Sequence, residues 1–377
     1  MTRGVVDTGE ILLLACDRSQ GLQTRPRVPR MTVSLKNKRA TIRDVGRRAL
    51  VSHQTVSRVI NGELSIAPAT RARVERAIAE LGFHPNHVAR SLASRKTFTV
   101  GVVMGDVASP FFPDVVRGAE DVLSPLGYSL FLASSRRDPE VERRNVEHLL
   151  DRSADGLILG APRSRPEELA ALGRRAGVPM VFLNREVRGR HVASVWVDWP
   201  SATSEVVEYL AALGHRRVAL VVPSRDEAPF ASREDWYERA LGRRDLTPPP
   251  SLIVRERISI EGGHRAGLRL LALDAPPTAV ICHNDTMAIG VLQACAERRV
   301  RVPRDLSVVG WDDVPYASLV TPTLTTVRVP RHELGRAAAA TLLDLIAGRA
   351  AQESGPLPLQ LIRRQSCRRI GRSPERT

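Results

Sequence analysis

Residues 41–61 read TIRDVGRRALVSHQTVSRVIN, two short helical patterns joined by a tight turn. Thr41 stands where a helix N-cap belongs, and Asp44 comes three residues on, a capping box with Asp in place of Glu or Gln. Ile42, Val45 and Ala49 then fall on one side. Ser52 is placed to cap a second helix in which Val56, Val59 and Ile60 recur at helical spacing, leaving His53, Gln54, Thr55, Ser57 and Arg58 outside and near its start. A recognition helix reads the major groove with such N-terminal residues. Gln can pair in a bidentate way with adenine and Arg with guanine, while Ser and Thr contact bases or phosphate. Alone, the stretch would sooner describe an ordinary solvated helical hairpin. The next two segments shift the balance. PATRARVERAIAELGF, residues 68–83, opens with a Pro suited to a first helical turn and carries the stripe Val74, Ala77, Ile78, Leu81. Three short helices complete a helix-turn-helix domain, and HPNHVARSLAS, residues 84–94, comes directly after it.

The ordered segments TIRDVG, VSHQTVSRVIN, TRARVERAIAELGFHPN and ARSLASRKTFTVGV resemble the lactose-repressor (LacI) family of bacterial transcription regulators, over residues 41 to about 350. The resemblance implies that His53 and Gln54 are the main base readers, with Thr55, Ser57 and Arg58 beside them and Thr41, Asn61, Asn86 and Arg90 completing the DNA-facing set. Residues 86–93 become a hinge helix that forms when two subunits meet on DNA. Leu92 matches the leucine that wedges into the minor groove and kinks the duplex, and Ala89 the small residue that lets paired hinges approach. Its neighbours Arg90, Ser91, Ser94, Arg95 and Lys96 are polar, and so short a segment does not hold a helix alone. Two residues depart from the family pattern. Gly46 stands where Ala is usual, and Leu50 where Gly is usual. A helical Gly costs about 1 kcal/mol relative to Ala, and a non-Gly residue in a left-handed turn is strained.

The 377-residue chain allows two or three domains, and its net charge of +15 favours a polyanionic partner. Residues 1–97 hold 18 Lys plus Arg against 7 Asp plus Glu, so 18 − 7 = +11 of that charge lies in the first quarter. That is the footprint of a DNA-binding head before a nearly balanced body. Cys16, Cys282, Cys295 and Cys367 are widely spaced and form no CxxC pair, which argues against a metal site or disulfide framework and for the cytoplasm. No apolar run approaches bilayer length. The segment ILLLAC, residues 11–16, faintly resembles a lipoprotein lipidation box, which would make the chain a secreted sugar-binding lipoprotein. Its apolar run is too short, and Asp7 and Glu10 precede it where positive charge belongs. Residues 1 to about 38 lack periodicity and read as a disordered extension, with Met31 a candidate true start. The expected domains are therefore an extension (1–40), the head (41–85), hinge helix and linker (86–97), a body (98–352) and a basic tail (353–377).

From Phe98 the runs FTVGVVM, YSLFLAS, GLILG, PMVFLN, VALVV, SLIVRE, TAVICH and SVVGW alternate with helix candidates starting near Pro110, Pro139, Pro166, Pro200, Ala231, Ile260, Thr286 and Arg331. Such alternation implies parallel sheets covered on both faces. The length suits two doubly wound lobes with ligands beyond the strands' carboxyl ends. The fold class expected is an all-α helix-turn-helix head joined by a hinge helix to an α/β two-lobed periplasmic-binding-protein-like domain. Three crossings between lobes are implied, near Asp198, near Thr325 and at residues 347–352. The resemblance puts effector-binding residues at Ser109, Phe111 and Phe112, at Asn184 and Arg185, at Arg233, at Asn284 and Asp285, and at Asp312. Either Phe could stack on a sugar face or belong to the core. Trp236 stands near Arg233 where the family has Gly. Arg233 and Asp312 could bracket vicinal hydroxyls of a sugar, although Asp312 and Asp313 also read as a solvated loop. Trp196 and Trp199 either roof the cleft or pack the hinge. The chain shows no GxGxxG after a strand, P-loop, GxSxG or HExxH, so an α/β sugar-modifying enzyme is disfavoured. The implied partners are double-stranded operator DNA, a sugar effector and a second copy of the chain, with no cofactor, metal or membrane.

Overall fold

Among the described residues the N-terminal unit holds helices α1 (Ile42–Ala49), α2 (His53–Ile60) and α3 (Pro68–Glu80). The computed structural model describes residues 40–60, 63, 65–83, 96–160, 162–187, 189–225, 231–351 and 355–370. The chain divides into one compact unit ending at Pro85 and another beginning at Asn86. In the first, the Asp44 amide donates to Thr41 Oγ1 at 3.3 Å, and the Thr41 amide to Asp44 Oδ2 at 2.9 Å, so the capping box closes with Asp. Ser52 Oγ accepts from the Thr55 amide at 3.1 Å and starts α2. Val45, Ala49, Val56, Val59, Val74 and Ala77 form the core, with Ile42, Ile60 and Ile78 against it. Leu81 does not join the stripe. The helix has ended there, and Phe83 is buried instead.

The two departures in the turn are physically linked. Leu50 adopts φ 53°, ψ 46° and is 87% exposed, while a Cβ on Gly46 would lie 2.9 Å from the Val51 carbonyl oxygen. Glycine at 46 lets the turn fold back onto α1, and Leu50 takes the left-handed conformation that Gly would accept without strain. Leu50→Gly is therefore expected to stabilise the head by about 1 kcal/mol, since an exposed side chain surrenders little burial. Thermal unfolding followed at the head should show a higher midpoint; an unchanged or lower one would remove the strain argument.

In the second unit, β1 (Thr99–Met104), α4 (Phe112–Leu123), β2 (Ser129–Ser134), α5 (Pro139–Asp151), β3 (Gly156–Gly160), α6 (Pro166–Ala176), β4 (Met180–Leu183) and β5 (Val192–Val195) build the first lobe. Its strands run parallel in the order β2-β1-β3-β4-β5. After a crossing come α7 (Trp199–Ala212), β6 (Val218–Pro223), α8 (Ala231–Gly242), β7 (Ile253–Glu256), α9 (Ile260–Leu271), β8 (Ala279–Cys282), α10 (Asp285–Glu297) and β9 (Ser307–Val309). These strands are parallel in the order β7-β6-β8-β9. The chain returns through β10 (Thr326–Arg328) and α11 (Arg331–Ile346), which packs on α4 and the first sheet, and leaves again through β11 (Gln360–Ile362).

The crossings are hydrogen-bonded side by side. The Leu357 amide donates to the Trp196 carbonyl at 2.9 Å, the Asp198 amide donates to Leu357 at 2.9 Å, and β10 pairs antiparallel with β11. The third crossing thus meets the first at Leu357, beyond residues 347–352. The basic tail also needs correction. Residues 355–370 belong to the body: Leu361 packs in the core, and the fully buried Ser366 donates to the Val308 carbonyl and accepts from the Thr325 amide. His215, also buried, bridges the Thr278 hydroxyl and the Arg368 carbonyl. Burial holds its pKa below the usual 6.5. The unfolded chain then takes up a proton that the folded chain resists, so stability should fall as pH drops below about 6.5. His215→Gln should flatten that slope in urea titrations across pH 5–8, and an unchanged slope would exclude His215 as its source.

Candidate DNA-reading face and effector cleft

The outer face of α2 presents His53, Gln54 and Arg58 exposed, with Thr55 and Ser57 half-buried above the Val56 and Val59 core contacts. Beside its start, a shallow depression is lined by Arg43, Arg47, Ser52 and His53, a rim of donors suited to phosphate. Arg58 is engaged. Its Nε donates to Glu63 Oε2 at 2.6 Å and its Nη2 to Ser65 Oγ at 3.0 Å, while Arg71 holds the Glu63 carbonyl at 2.6 Å. Reading a base with Arg58 therefore means exchanging or sharing these partners, a contact that residue spacing did not reveal. Asn61, Asn86, Ala89, Arg90 and Leu92 lie outside the described residues, as do Cys16 and Met31.

In the body, the sequence-derived positions gather at strand carboxyl ends, with different fates. Phe112 is core: it is buried, and its ring lies where a Cβ on Gly160 would be. Phe111 stays half-buried, edge-on to Phe112 with centroids 5.3 Å apart. Ser109 Oγ accepts from the Phe111 amide at 3.4 Å. Asn184 has φ 56°, and its Oδ1 is buried without a hydrogen-bond partner. Burial pushes the Arg185 pKa down to about 10, against the pull of Glu167 and Glu142. Arg233 lies in the first turn of α8, its side chain outside the described part.

Asn284 caps α10, its Oδ1 accepting from the Met287 amide at 3.0 Å. Asp285 is corrected from effector ligand to structural group. It is fully buried, and its two oxygens accept from Thr326 Oγ1 at 2.5 Å and the Val314 amide at 2.8 Å. Burial, then the neighbouring Asp312, push its pKa well above the usual carboxylate range. The Asp312–Asp313 segment is no solvated loop. Both residues are largely buried with φ of 105° and 53°, and Asp313 pairs with Arg328 at 2.7 Å and Arg364 at 2.6 Å. Two consecutive left-handed non-glycine residues store strain of the kind found at ligand clamps. Trp199 packs the hinge, its ring 5.5 Å from that of the fully buried Trp311.

Two arginines tie the lobes together. Arg331 pairs with Asp114 on α4 at 2.7 Å and donates to the Asp312 carbonyl. Arg137, after β2, donates to the Ile258 carbonyl at 3.2 Å. Arg163, after β3, donates through Nη1 to the Arg137 carbonyl at 2.8 Å. Arg137, Arg163 and the buried Glu142 escaped the sequence reading because an Arg-rich, charged helix start looks solvated.

Residues 41–86 match the family described as bacterial regulatory proteins, lacI family, and residues 207–367 a periplasmic binding protein-like domain. The chain is 34% identical to catabolite control protein A of Priestia megaterium over 299 residues, 79% of this chain and 90% of that one. The chain belongs to the lacI family of bacterial regulatory proteins. A crystal structure of the Lac repressor dimer bound to operator and the anti-inducer ONPF superposes with a TM-score of 0.78 at 31% identity, covering 88% of this chain and all of that one. A LacI-family regulator from Lactobacillus casei with bound sucrose superposes with a TM-score of 0.65 at 30% identity, covering 71% of this chain and 99% of that one. LacI-family membership makes this a DNA-binding transcription regulator and not an enzyme. Among the described residues no helix is long and apolar enough to cross a membrane.

Proposed function

We propose that this LacI-family chain is a repressor that binds a pseudo-palindromic operator as a homodimer and is switched by a small hydroxyl-rich effector, a sugar or sugar derivative, held between its lobes. The observation that carries the reading is the division of labour on α2, whose Val56 and Val59 are buried while His53 and Gln54 stand open at its start. Residues at that end of a helix meet base edges. Leu92 and the hinge segment then enter the central minor groove.

A second copy is supported by the apolar side chains left in solvent. Phe131 and Leu132, on the edge strand β2, are 49% and 52% exposed, and Tyr316 and Leu319 in the second lobe are 56% and 74% exposed. Pairing would cover them, and linked heads make the second half-site contact intramolecular.

The effector reading is supported by orphaned polar atoms at strand ends of both lobes: Asn184 Oδ1 after β4, Arg163 Nε after β3 and Ser224 Oγ after β6. A buried unpaired group costs about 1–3 kcal/mol, which a polar ligand would offset. Ligand between the lobes changes how the first lobes of the dimer face each other, and with it hinge pairing. Effector and operator are then linked reciprocally, with either sign. Arg233→Ala or Asp312→Asn should abolish the effector response in operator-binding titrations. A full response in both variants would place the switch elsewhere.

A further inference from the structure

Arg58 stands in the last turn of α2, four residues after Gln54 and on the same side of the helix, and both side chains are exposed. Its guanidinium is only partly occupied. Nε donates to Glu63 Oε2 at 2.6 Å, and Nη2 donates to Ser65 Oγ at 3.0 Å. Among the described residues Nη1 makes no hydrogen bond, so Nη1 and the second N–H of Nη2 remain as adjacent donors. Such a pair of donors is what a bidentate contact to O6 and N7 of guanine requires.

Glu63 is itself fixed. Its amide donates to the Arg58 carbonyl at 3.0 Å, and its carbonyl accepts from Arg71 Nη2 at 2.6 Å. The carboxylate therefore hangs from backbone tied to both α2 and α3. Stability does not explain the pair, because Arg58 and Glu63 are 50% and 44% exposed and exposed ion pairs contribute little. General affinity for DNA does not explain it either. A carboxylate at the reading face repels phosphate and occupies a cation that would otherwise contact one. What the pair supplies is order: a long side chain with many rotamers is held in one posture before DNA arrives, so less freedom is lost on binding.

We infer that Glu63 is a specificity-determining positioning residue, which holds Arg58 by Nε so that the edge formed by Nη1 and Nη2 meets a guanine in each half-site and is kept off the phosphates. This rests on α2 reading base edges. Attachment at both Nε and Nη2 fixes the plane of the guanidinium as well as its position. Glu63 lies beyond the end of α2 and acts through Arg58 alone.

The experiment uses the full-length protein and a selected operator in which each base pair is replaced symmetrically in both half-sites. Wild type, Arg58→Ala, Glu63→Ala, Glu63→Gln and the double variant Arg58→Ala, Glu63→Ala are compared by fluorescence anisotropy on these duplexes and on a scrambled one. Arg58→Ala should erase a guanine preference at one base pair per half-site. Glu63→Ala should weaken that same preference, by about twofold to tenfold per half-site, and no other. It should also bind the scrambled duplex about twofold or more tightly than wild type, with a steeper salt dependence, since a repelling charge is gone and Arg58 can reach phosphate. A purely structural role would weaken binding to both duplexes. Glu63→Gln, which keeps an acceptor for Nε, should retain part of the preference, and the double variant should match Arg58→Ala in base preference. The proposal is overturned if Glu63→Ala leaves the preference at the Arg58 base pair unchanged, sharpens it, or weakens operator and scrambled duplex alike; in each case Arg58 remains a base reader. An Arg58→Ala variant with the wild-type preference at every position removes the base-reading role itself, and the proposal with it.

Discussion

Gly335→Ala should cost the body about 3 kcal/mol or more, the largest single-residue loss of stability expected here. Helices α4 and α11 touch backbone to backbone: a Cβ on Gly335 would lie 1.9 Å from the Val115 carbonyl oxygen, and one on Gly118 would lie 2.0 Å from that of His332. Neither obstacle is a flexible side-chain end, so the helices must separate. Separation would open the core beneath α11, where Leu334, Ala338, Ala339 and Leu342 are fully buried. Because α11 begins at Arg331, which joins Asp114 to the Asp312 carbonyl, the shift would also loosen the strut between the lobes. With domain stabilities of roughly 5–15 kcal/mol, such a loss moves the urea midpoint markedly while the m-value holds. A midpoint within error of wild type would contradict the contact.

Gln54→Ala should weaken operator binding strongly and leave non-specific binding nearly unchanged. One bidentate pair discriminates by about 1–3 kcal/mol, and a dimer makes it twice, so the loss should span about 30-fold to beyond a thousandfold. Gln54 carries no charge, so the salt dependence of non-specific binding should keep its slope. Fluorescence anisotropy with an operator duplex and a scrambled duplex separates the two effects. Equal losses on both duplexes would mean that Gln54 serves stability or general affinity and reads no base.

Much of this architecture was legible in the residues. The head was readable because Thr41, Asp44 and Ser52 mark helix starts by local hydrogen bonding and Val45, Val56 and Val59 mark the buried side. In the body, apolar runs alternating with helices announced parallel sheets. What stayed hidden depends on long-range pairing. Strand β5 comes after β4 with no helix between them, and its VASV is too short and mixed to stand out. Strands β10 and β11 are three residues each and exist because the crossings pair with one another. The Arg-rich composition of residues 363–369 concealed the buried Ser366 and the Arg364–Asp313 ion pair. Gly118 and Gly335 read as weak helix residues, while their use lies in a contact between helices more than two hundred positions apart. Asp285 read as a ligand because the family resemblance and its place just after β8 put it there, but no local pattern says that a carboxylate there turns inward to Thr326 and Val314.

The most direct test is selection of binding sites from a random duplex pool by the purified full-length protein, repeated with a library of sugars and sugar anions. The account predicts enrichment of a pseudo-palindrome with two half-sites, whose affinity changes when one of those compounds is added. A protein that enriches no duplex sequence under any of these conditions would contradict it.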